Sequence, residues 1–413
     1  MDLRLQSSYY SGDTHLKRIC ILMCDFTLKH GVNRVIADLA DSFKDRVLLC
    51  VARHDPSAAF KIPDSTEVVA LKHWKCHPYP SFFFFGLGLW RFSAARMLAK
   101  EEGDLILCTH TTADIVHASA IKLFLPNKNV RISAFVYDKF ELIPSDGRTR
   151  RYNADLLMTR GVVTLLIKFG LVDELFTIDS DMLQFVRDVL HTDKVHTVRI
   201  GVSHSLLSLS EQQNLTGTER IRRLMKAHYF KIFYQGILIP ERRVEDLLLA
   251  LHALIEDGRT TAHVFIGGAL VRWFGSTYPD TIRAMAYELH LSDHVHFLGE
   301  LTEEELAYMY RNCDAFVWTG DDQSWGLAPL EAMLFGKPII ISAGNGVSEV
   351  LNERIAMVVP PHNPQAIHRA LETLMRDATF GEALGERAQH FVKENFMFAN
   401  TANELARLWQ LDA

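Results

Sequence analysis

The residues best suited to do chemistry lie in one short stretch, Asp321-Asp-Gln-Ser-Trp-Gly-Leu-Ala-Pro-Leu-Glu-Ala-Met-Leu-Phe-Gly-Lys-Pro338. An apolar run, Ala315–Trp318, predicts a strand leading into this polar loop, and a helix then begins near Gly326. Ser324 could cap that helix, and Pro329 fits only in a first turn, where no backbone donor is lost. Gly336 ends the helix, and Lys337-Pro338 opens the next strand. The amides of Gly326, Leu327 and Ala328, with the positive end of the helix dipole, make a site for phosphate oxygens. Glu331 stands about one turn deeper. Its two acceptor oxygens suit the adjacent hydroxyls of a ribose. The plain alternative is an ordinary helix cap followed by a surface glutamate.

Other reactive groups read as structural. His73, Cys76 and His77 are close in sequence, but no second pair with metal-site spacing follows, so no metal is expected there. Asp179-Ser-Asp181 spells a D-x-D pattern, yet it falls at a helix start and reads as a cap. The six cysteines are scattered, four of them in apolar strand-like runs, which fits reduced core thiols better than a disulfide framework.

The elements that must position the loop repeat as strand then helix. Continuous apolar runs at Arg18–Cys24, Arg46–Ala52, Leu105–Thr109, Arg131–Val136, Glu174–Thr177 and His196–Ile200 predict parallel strands buried on both faces. Ser203–Lys226 is rich in Ser, Gln, Thr and charge and reads as a linker. The rhythm then restarts with strands at Tyr229–Tyr234, His263–Ile266, His294–Leu298, Ala315–Trp318 and Pro338–Ser342. Two α/β halves of similar size place a ligand cleft near the carboxyl ends of their strands.

Composition agrees. The 413 residues are 48% hydrophobic and 23% charged, which excludes a disordered or fibrous chain. With 44 Lys and Arg against 50 Asp and Glu, the charge of −6 gives no general pull toward nucleic acid. The first eighteen residues lack an apolar core of a secretory signal, and no window reaches the ~18 apolar residues of a membrane span. A cytoplasmic protein is expected. The aromatic run Phe82–Trp90 is either a buried element or a patch that docks on lipid or an apolar acceptor.

The order Trp-Gly-Leu, Pro-Leu-Glu-Ala-Met, Gly-Lys-Pro and Ile-Ile-Ile-Ser, followed by Gly346 and Ser348-Glu349, resembles the C-terminal half of retaining glycosyltransferases of the GT-B fold, family 4. Gly236-Ile-Leu-Ile-Pro-Glu-Arg-Arg243 is similar to that family's Gly-Arg-x-x-Pro-Glu-Lys-Gly loop, and Phe265-Ile-Gly-Gly268 to its central glycine strand. His30-Gly31-Val32-Asn33-Arg34-Val35 resembles the glycine loop that opens the first helix, and Arg199-Ile-Gly-Val202 the segment before the linker. The resemblance implies two Rossmann-like doubly wound domains facing a cleft. An acceptor-side domain would span 1–205 and a nucleotide-sugar-binding domain 206–395, with a helix at 396–413 returning to the first.

The resemblance also implies roles. Glu331 would hold the ribose of a nucleotide-sugar donor. Gly236, Gly267, Leu298, Ser324, Trp325, Gly326, Leu327 and Ala328 would line the donor, and Arg242 would stand for the family's Lys at the departing diphosphate. Catalysis would draw on Arg242, Gln323 and Asp138, with Gly31, His110 and Tyr137 on the acceptor side. For His110 a satisfied polar histidine, and for Tyr137 and Asp138 an ordinary strand-end cap, are the competing readings. Two positions depart from the pattern: Gln323 replaces the first Glu of E-x7-E, and Ile237 replaces an Arg, for which Arg243, itself on the donor side, or another basic residue would substitute. The expected protein is a metal-independent enzyme that moves a sugar to a glycan or lipid-linked glycan in cell-surface polysaccharide or glycoconjugate synthesis. It would need no cofactor, bind no nucleic acid and touch the inner membrane face peripherally through residues 82–90. The alternative is a catalytically weak or silent nucleotide-sugar-binding protein of the same fold.

Overall fold

A computed structural model describes residues 17–26, 31–54, 62–70, 89–137, 139, 150–268, 277–321 and 325–411. The first half runs β1 (Arg18–Phe26), α1 (Gly31–Phe43), β2 (Val47–His54), β3 (Glu67–Ala70), α2 (Leu89–Leu98), β4 (Leu105–Thr109), α3 (Thr112–Leu123), β5 (Val130–Phe135), α4 (Arg150–Lys168), β6 (Glu174–Thr177), α5 (Ser180–Leu190) and β7 (Val195–Thr197). Its strands form a seven-stranded sheet in the order β3-β2-β1-β4-β5-β6-β7, parallel throughout. Every residue of β4 is buried, as a strand covered by helices on both faces requires.

Two helices follow, α6 (His204–Glu211) and α7 (Glu219–Leu224). The second half then runs β8 (Phe230–Gln235), α8 (Val244–Glu256), β9 (Ala262–Gly267), α9 (Tyr278–Glu288), β10 (Val295–Gly299), α10 (Glu303–Asn312), β11 (Ala315–Trp318), α11 (Leu327–Leu334), β12 (Ile339–Ser342), β13 (Met357–Val359), α12 (Pro364–Arg376), α13 (Ala378–Asn395) and α14 (Phe398–Leu408). Its six strands are ordered β10-β9-β8-β11-β12-β13, again parallel. In each sheet the strand order reverses once, between β1 and β4 and between β8 and β11. Such switch points open a crevice at the carboxyl ends of the two strands.

Three expectations change. The stretch 203–226, read as a linker, carries two helices: Ser203 caps α6 by accepting from the Leu206 amide at 3.3 Å, and Leu206 and Ile221 are fully buried. One buried apolar residue in each short helix was too little periodicity to show through the polar composition. Strands β3 and β13, absent from the sequence reading, are edge strands of four and three residues. Strand β7 ends at Thr197 because the chain beyond it turns to another partner. The Val202 amide donates to the Phe396 carbonyl at 2.7 Å, and the Phe398 amide to the Val202 carbonyl at 2.8 Å. A Cβ on Gly201 would overlap the Met397 backbone, so this crossing needs glycine.

From that crossing α14 runs back over α1. The buried Trp409 donates its indole N–H to Ser133 Oγ at 2.9 Å and meets Phe43 and Phe176, with ring centroids at 5.7 and 6.3 Å. A residue from the chain's end therefore completes the core of its first half. Trp409→Ala should cost about 3–5 kcal/mol of unfolding free energy. Equilibrium denaturation of the full chain checks this, and a loss under about 1 kcal/mol would contradict the docking of α14.

Candidate functional site

Helix α1 follows the carboxyl end of β1, and α11 follows that of β11. Between them lies the central contact of the molecule. Arg34, on the first turn of α1 and 8% exposed, points its Nη1 at Glu331 Oε1 across 3.4 Å and its Nη2 at Glu303 Oε1 across 3.4 Å. Glu331 also accepts from the Tyr310 hydroxyl at 2.8 Å through Oε2. Ser203 Oγ lies 3.5 Å from the same guanidinium. Arg34 is held above its ordinary pKa: burial opposes its charge, and the Glu331 and Glu303 carboxylates outweigh that. Asp38, one turn along α1, is pushed up to about 8 by burial, with Arg34 pulling it down. Glu331 is thus no surface glutamate. It is a 6% exposed carboxylate gripped from both halves.

Nearby contacts join the halves further. The Trp325 indole donates to the Ile200 carbonyl at 2.7 Å, and Arg199 pairs with Glu349 at 2.8 Å. The side chain of Trp325 is consumed by this joint, so only its backbone remains for a ligand. Asp179 caps α5, accepting from the Met182 amide at 2.7 Å, and Asp181 pairs with Lys139 at 2.8 Å. Each aspartate of the D-x-D pattern thus has one structural partner.

Helix α11 opens at Gly326, an N-cap with φ +83° and no side-chain cap bond. Gly326 itself holds the N-cap position, and Ser324, the cap expected from the sequence, lies outside the described residues. Glycine serves because that φ is costly for any other residue. Leu327, Ala328 and Pro329 form the first turn, and Glu331 lies one turn inside. Gly236 and Gly267 meet at the ends of β8 and β9, where the Gly236 amide donates to the Gly267 carbonyl at 3.0 Å. A Cβ on Gly267 would overlap the Gln235 amide oxygen, and one on Gly268 the Gly236 carbonyl. Leu298, near the end of β10, is buried, and its carbonyl accepts from Arg220 at 2.7 Å.

The turn after Gly236 places two arginines differently. The Arg242 guanidinium stacks over the Trp318 indole, 4.5 Å from its centroid. Its carbonyl accepts from Thr319 Oγ1 at 2.7 Å, which ties the turn to the end of β11. Arg243 has φ +51° and pairs with Glu245 and Asp246, both at 3.0 Å. It therefore supports the start of α8 electrostatically, with its charge shared between these two carboxylates.

On the other side, Gly31 starts α1. His110 and Tyr137 come together, with His110 Nδ1 2.7 Å from the tyrosine oxygen and the rings stacked 5.8 Å apart. Phe135 stacks on the other neighbour at 5.1 Å, and burial lowers the His110 pKa to about 3. The satisfied, neutral histidine is the reading that fits. Asp138, Gln323, Ser324, the His73–His77 group and residues 82–88 lie outside the described residues.

Comparison with known proteins gives this arrangement its class. The fold matches that of Anabaena HepE, solved with UDP and glucose, at a TM-score of 0.73 and 17% identity over 96% of this chain and all of that one. Sucrose-phosphate synthase from Thermosynechococcus elongatus matches at 0.74 and 17%, over 95% of this chain and 98% of the other. The chain has the GT-B fold. The family model of glycosyl transferases group 1 matches residues 218–391. A D-inositol 3-phosphate glycosyltransferase of Corynebacterium glutamicum is 28% identical over 249 residues, 58% of each chain. An uncharacterised glycosyltransferase of Methanocaldococcus jannaschii is 24% identical over 245 residues, 58% of this chain and 60% of that one. The similarity thus spans about three-fifths of these curated relatives' length.

Sequence reasoning named Glu331 but missed Arg34, Tyr310 and Glu303 around it. Arg34 and Glu331 are 297 residues apart, and no local pattern links them. If this contact couples the halves, Arg34→Met should destabilise the chain by about 3 kcal/mol, the cost of stranding a buried carboxylate. Arg34→Met combined with Glu331→Gln should lose clearly less than the sum of the two. A denaturation double-mutant cycle reads this, and strict additivity would show the two side chains to be uncoupled.

Proposed function

We propose that this protein is a retaining, metal-independent glycosyltransferase that moves a sugar from a nucleotide-diphosphate-sugar donor to a glycan or lipid-linked glycan. The observation that carries the reading is Glu331 buried one turn inside α11, beside the open N-terminus of that helix. The family match over residues 218–391 supports it, as does the fold shared with a protein solved with UDP and glucose. Glu331 would take the ribose hydroxyls while the first amides of α11 and Arg242 meet the diphosphate. Negative charge builds on the leaving phosphate as the sugar gains oxocarbenium character. Fixed dipoles and a positioned guanidinium stabilise that charge without reorganising, and a leaving group met in this way needs no metal. Gln323 would hydrogen-bond donor-sugar hydroxyls, with Asp138 near the transferred sugar. The product would enter cell-surface polysaccharide or glycoconjugate synthesis. A catalytically silent donor-binding protein is the second reading, favoured by Ile237 together with the engagement of Arg243 by Glu245 and Asp246.

One of UDP, GDP, ADP or dTDP should raise the melting temperature, since a ligand at a hundred times its Kd adds about 2.7 kcal/mol. Glu331→Ala should abolish that response and Gln323→Glu keep it. Nucleotide release from a donor panel then separates the two readings. Binding without release, in the presence of any acceptor or of water alone, favours the silent protein, and no response to any nucleotide refutes both.

A peripheral contact with the inner membrane face belongs to the same proposal. Among the described residues, no helix is long and apolar enough to cross a membrane. Phe92, Leu123, Leu157 and Leu165 on the adjacent helices α2, α3 and α4, with Phe124 and Phe169 just past the ends of α3 and α4, are exposed. On these helices Arg96 and Lys168 are exposed and Lys122 and Arg160 half-buried, within a chain of net charge −6. Apolar side chains beside positive charge suit an anionic lipid surface. The protein should co-sediment with phosphatidylglycerol-containing vesicles and not with phosphatidylcholine alone. Leu165→Glu with Phe169→Glu should release it, and equal sedimentation of that variant would refute this surface.

A further inference from the structure

Buried tyrosines and tryptophans nearly always satisfy their polar atom. Here Trp325 donates to Ile200, Trp409 to Ser133, Tyr310 to Glu331 and Tyr278 to Glu245. Among the described residues two break the rule, and they are neighbours. Tyr234 Oη and Trp318 Nε1 are buried without a hydrogen-bond partner. Tyr234 is the penultimate residue of β8 and Trp318 the last of β11, the adjacent strands that flank the switch point of the second sheet. Their rings stack at 5.7 Å and 15°. Burial holds the Tyr234 hydroxyl above its ordinary pKa, with the Arg242 charge opposing, so it keeps its proton.

Two glycines lie against these rings. A Cβ on Gly236 would stand 3.1 Å from Tyr234 Oη and 3.3 Å from the Trp318 ring. One on Gly326, the N-cap of α11, would stand 3.8 Å from Trp318 Nε1. Arg242 lies over the same indole at 4.5 Å. Indole N–H, phenol O–H, guanidinium and helix N-terminus are all donors, and their common partner is an anionic oxygen. Reaching the two atoms takes a shift of peptides that have no side chains to move.

We propose that Tyr234 and Trp318, beside Arg242, form a subsite for the terminal phosphate of a nucleoside diphosphate and supply the donors that Ile237 cannot. This rests on the donor-binding reading above and adds two residues that it does not contain. The Ile237 side chain brings neither charge nor donor, and the nearby Arg243 is held by carboxylates. The orphaned pair lies on the strands to either side.

The test is titration calorimetry of the full chain with UDP, GDP, ADP and dTDP and with the matching monophosphates. Tyr234→Phe removes one oxygen and nothing else, and Trp318→Phe removes the indole N–H. For the diphosphate that binds, Kd should rise about tenfold in each variant, equivalent to about 1.4 kcal/mol. The monophosphate should change by less than about twofold, within the scatter expected of an untouched contact. Tyr234→Phe should also raise the melting temperature of the unliganded chain, because an unpaired buried hydroxyl is gone. A merely structural hydroxyl would move stability without separating the two nucleotides. Unchanged diphosphate affinity in both variants, or equal losses for mono- and diphosphate, would overturn the subsite and leave the donor-binding reading standing. A wild-type chain that binds no nucleotide at all would overturn both.

Discussion

One buried guanidinium sets the relation of the two halves. Arg34 leaves α1 of the first sheet and ends among Glu331, Glu303 and Ser203, which belong to α11, α10 and the crossing segment. Taking a charge out of water costs several kcal/mol unless geometry restores the loss. The carboxylates restore it only if three helices from separate parts of the chain hold their positions together. The pair crossings at Val202 and Phe398 and the docking of Trp409 brace the same joint from behind. Charge at the front and apolar contact at the back make the carboxyl ends of both sheets one surface.

This geometry bears on what Glu331 can do. A carboxylate with Tyr310 on one oxygen and Arg34 on the other is fixed in orientation, and each oxygen keeps a second lone pair. Diol recognition needs that kind of acceptor, since two adjacent hydroxyls demand two oxygens held in a plane. The first half of the chain, through Arg34, thereby takes part in shaping a site that the sequence assigned wholly to the second half.

The strands and most helices were legible because burial writes itself into contiguous runs: Leu105–Thr109, Ala315–Trp318 and Ile339–Ser342 are apolar and buried on both faces. The short helices α6 and α7 were not, because their polar composition hides single buried residues such as Leu206 and Ile221. Glu331 was readable from its spacing after Gly326, a local property of one helix. Arg34, Tyr310 and Glu303 were not, since their meaning arises only when distant segments converge. The partners of Arg243 were not legible for a related reason: sequence counts a cation, whereas structure shows it paired with Glu245 and Asp246.

Tyr234 and Trp318 were hidden in another way. In the sequence each ends an apolar run and reads as core, and each is indeed buried. Their oddity is visible only in the accounting of hydrogen bonds. An unpaired polar atom in the interior costs about 1–3 kcal/mol, a large fraction of a domain's net stability. Phenylalanine would fill the Tyr234 space without that cost. Chains tolerate such a penalty where a group must stay available, and buried groups left unpaired gather at functional sites for that reason. The cost here falls at the single reversal of strand order in the second sheet, against the glycines that open α11 and follow β8. Elsewhere the same chain satisfies its buried indoles at Trp325 and Trp409 through 2.7 and 2.9 Å bonds. Among the buried indoles and phenols described, the exception therefore falls where the strand order of the second sheet reverses.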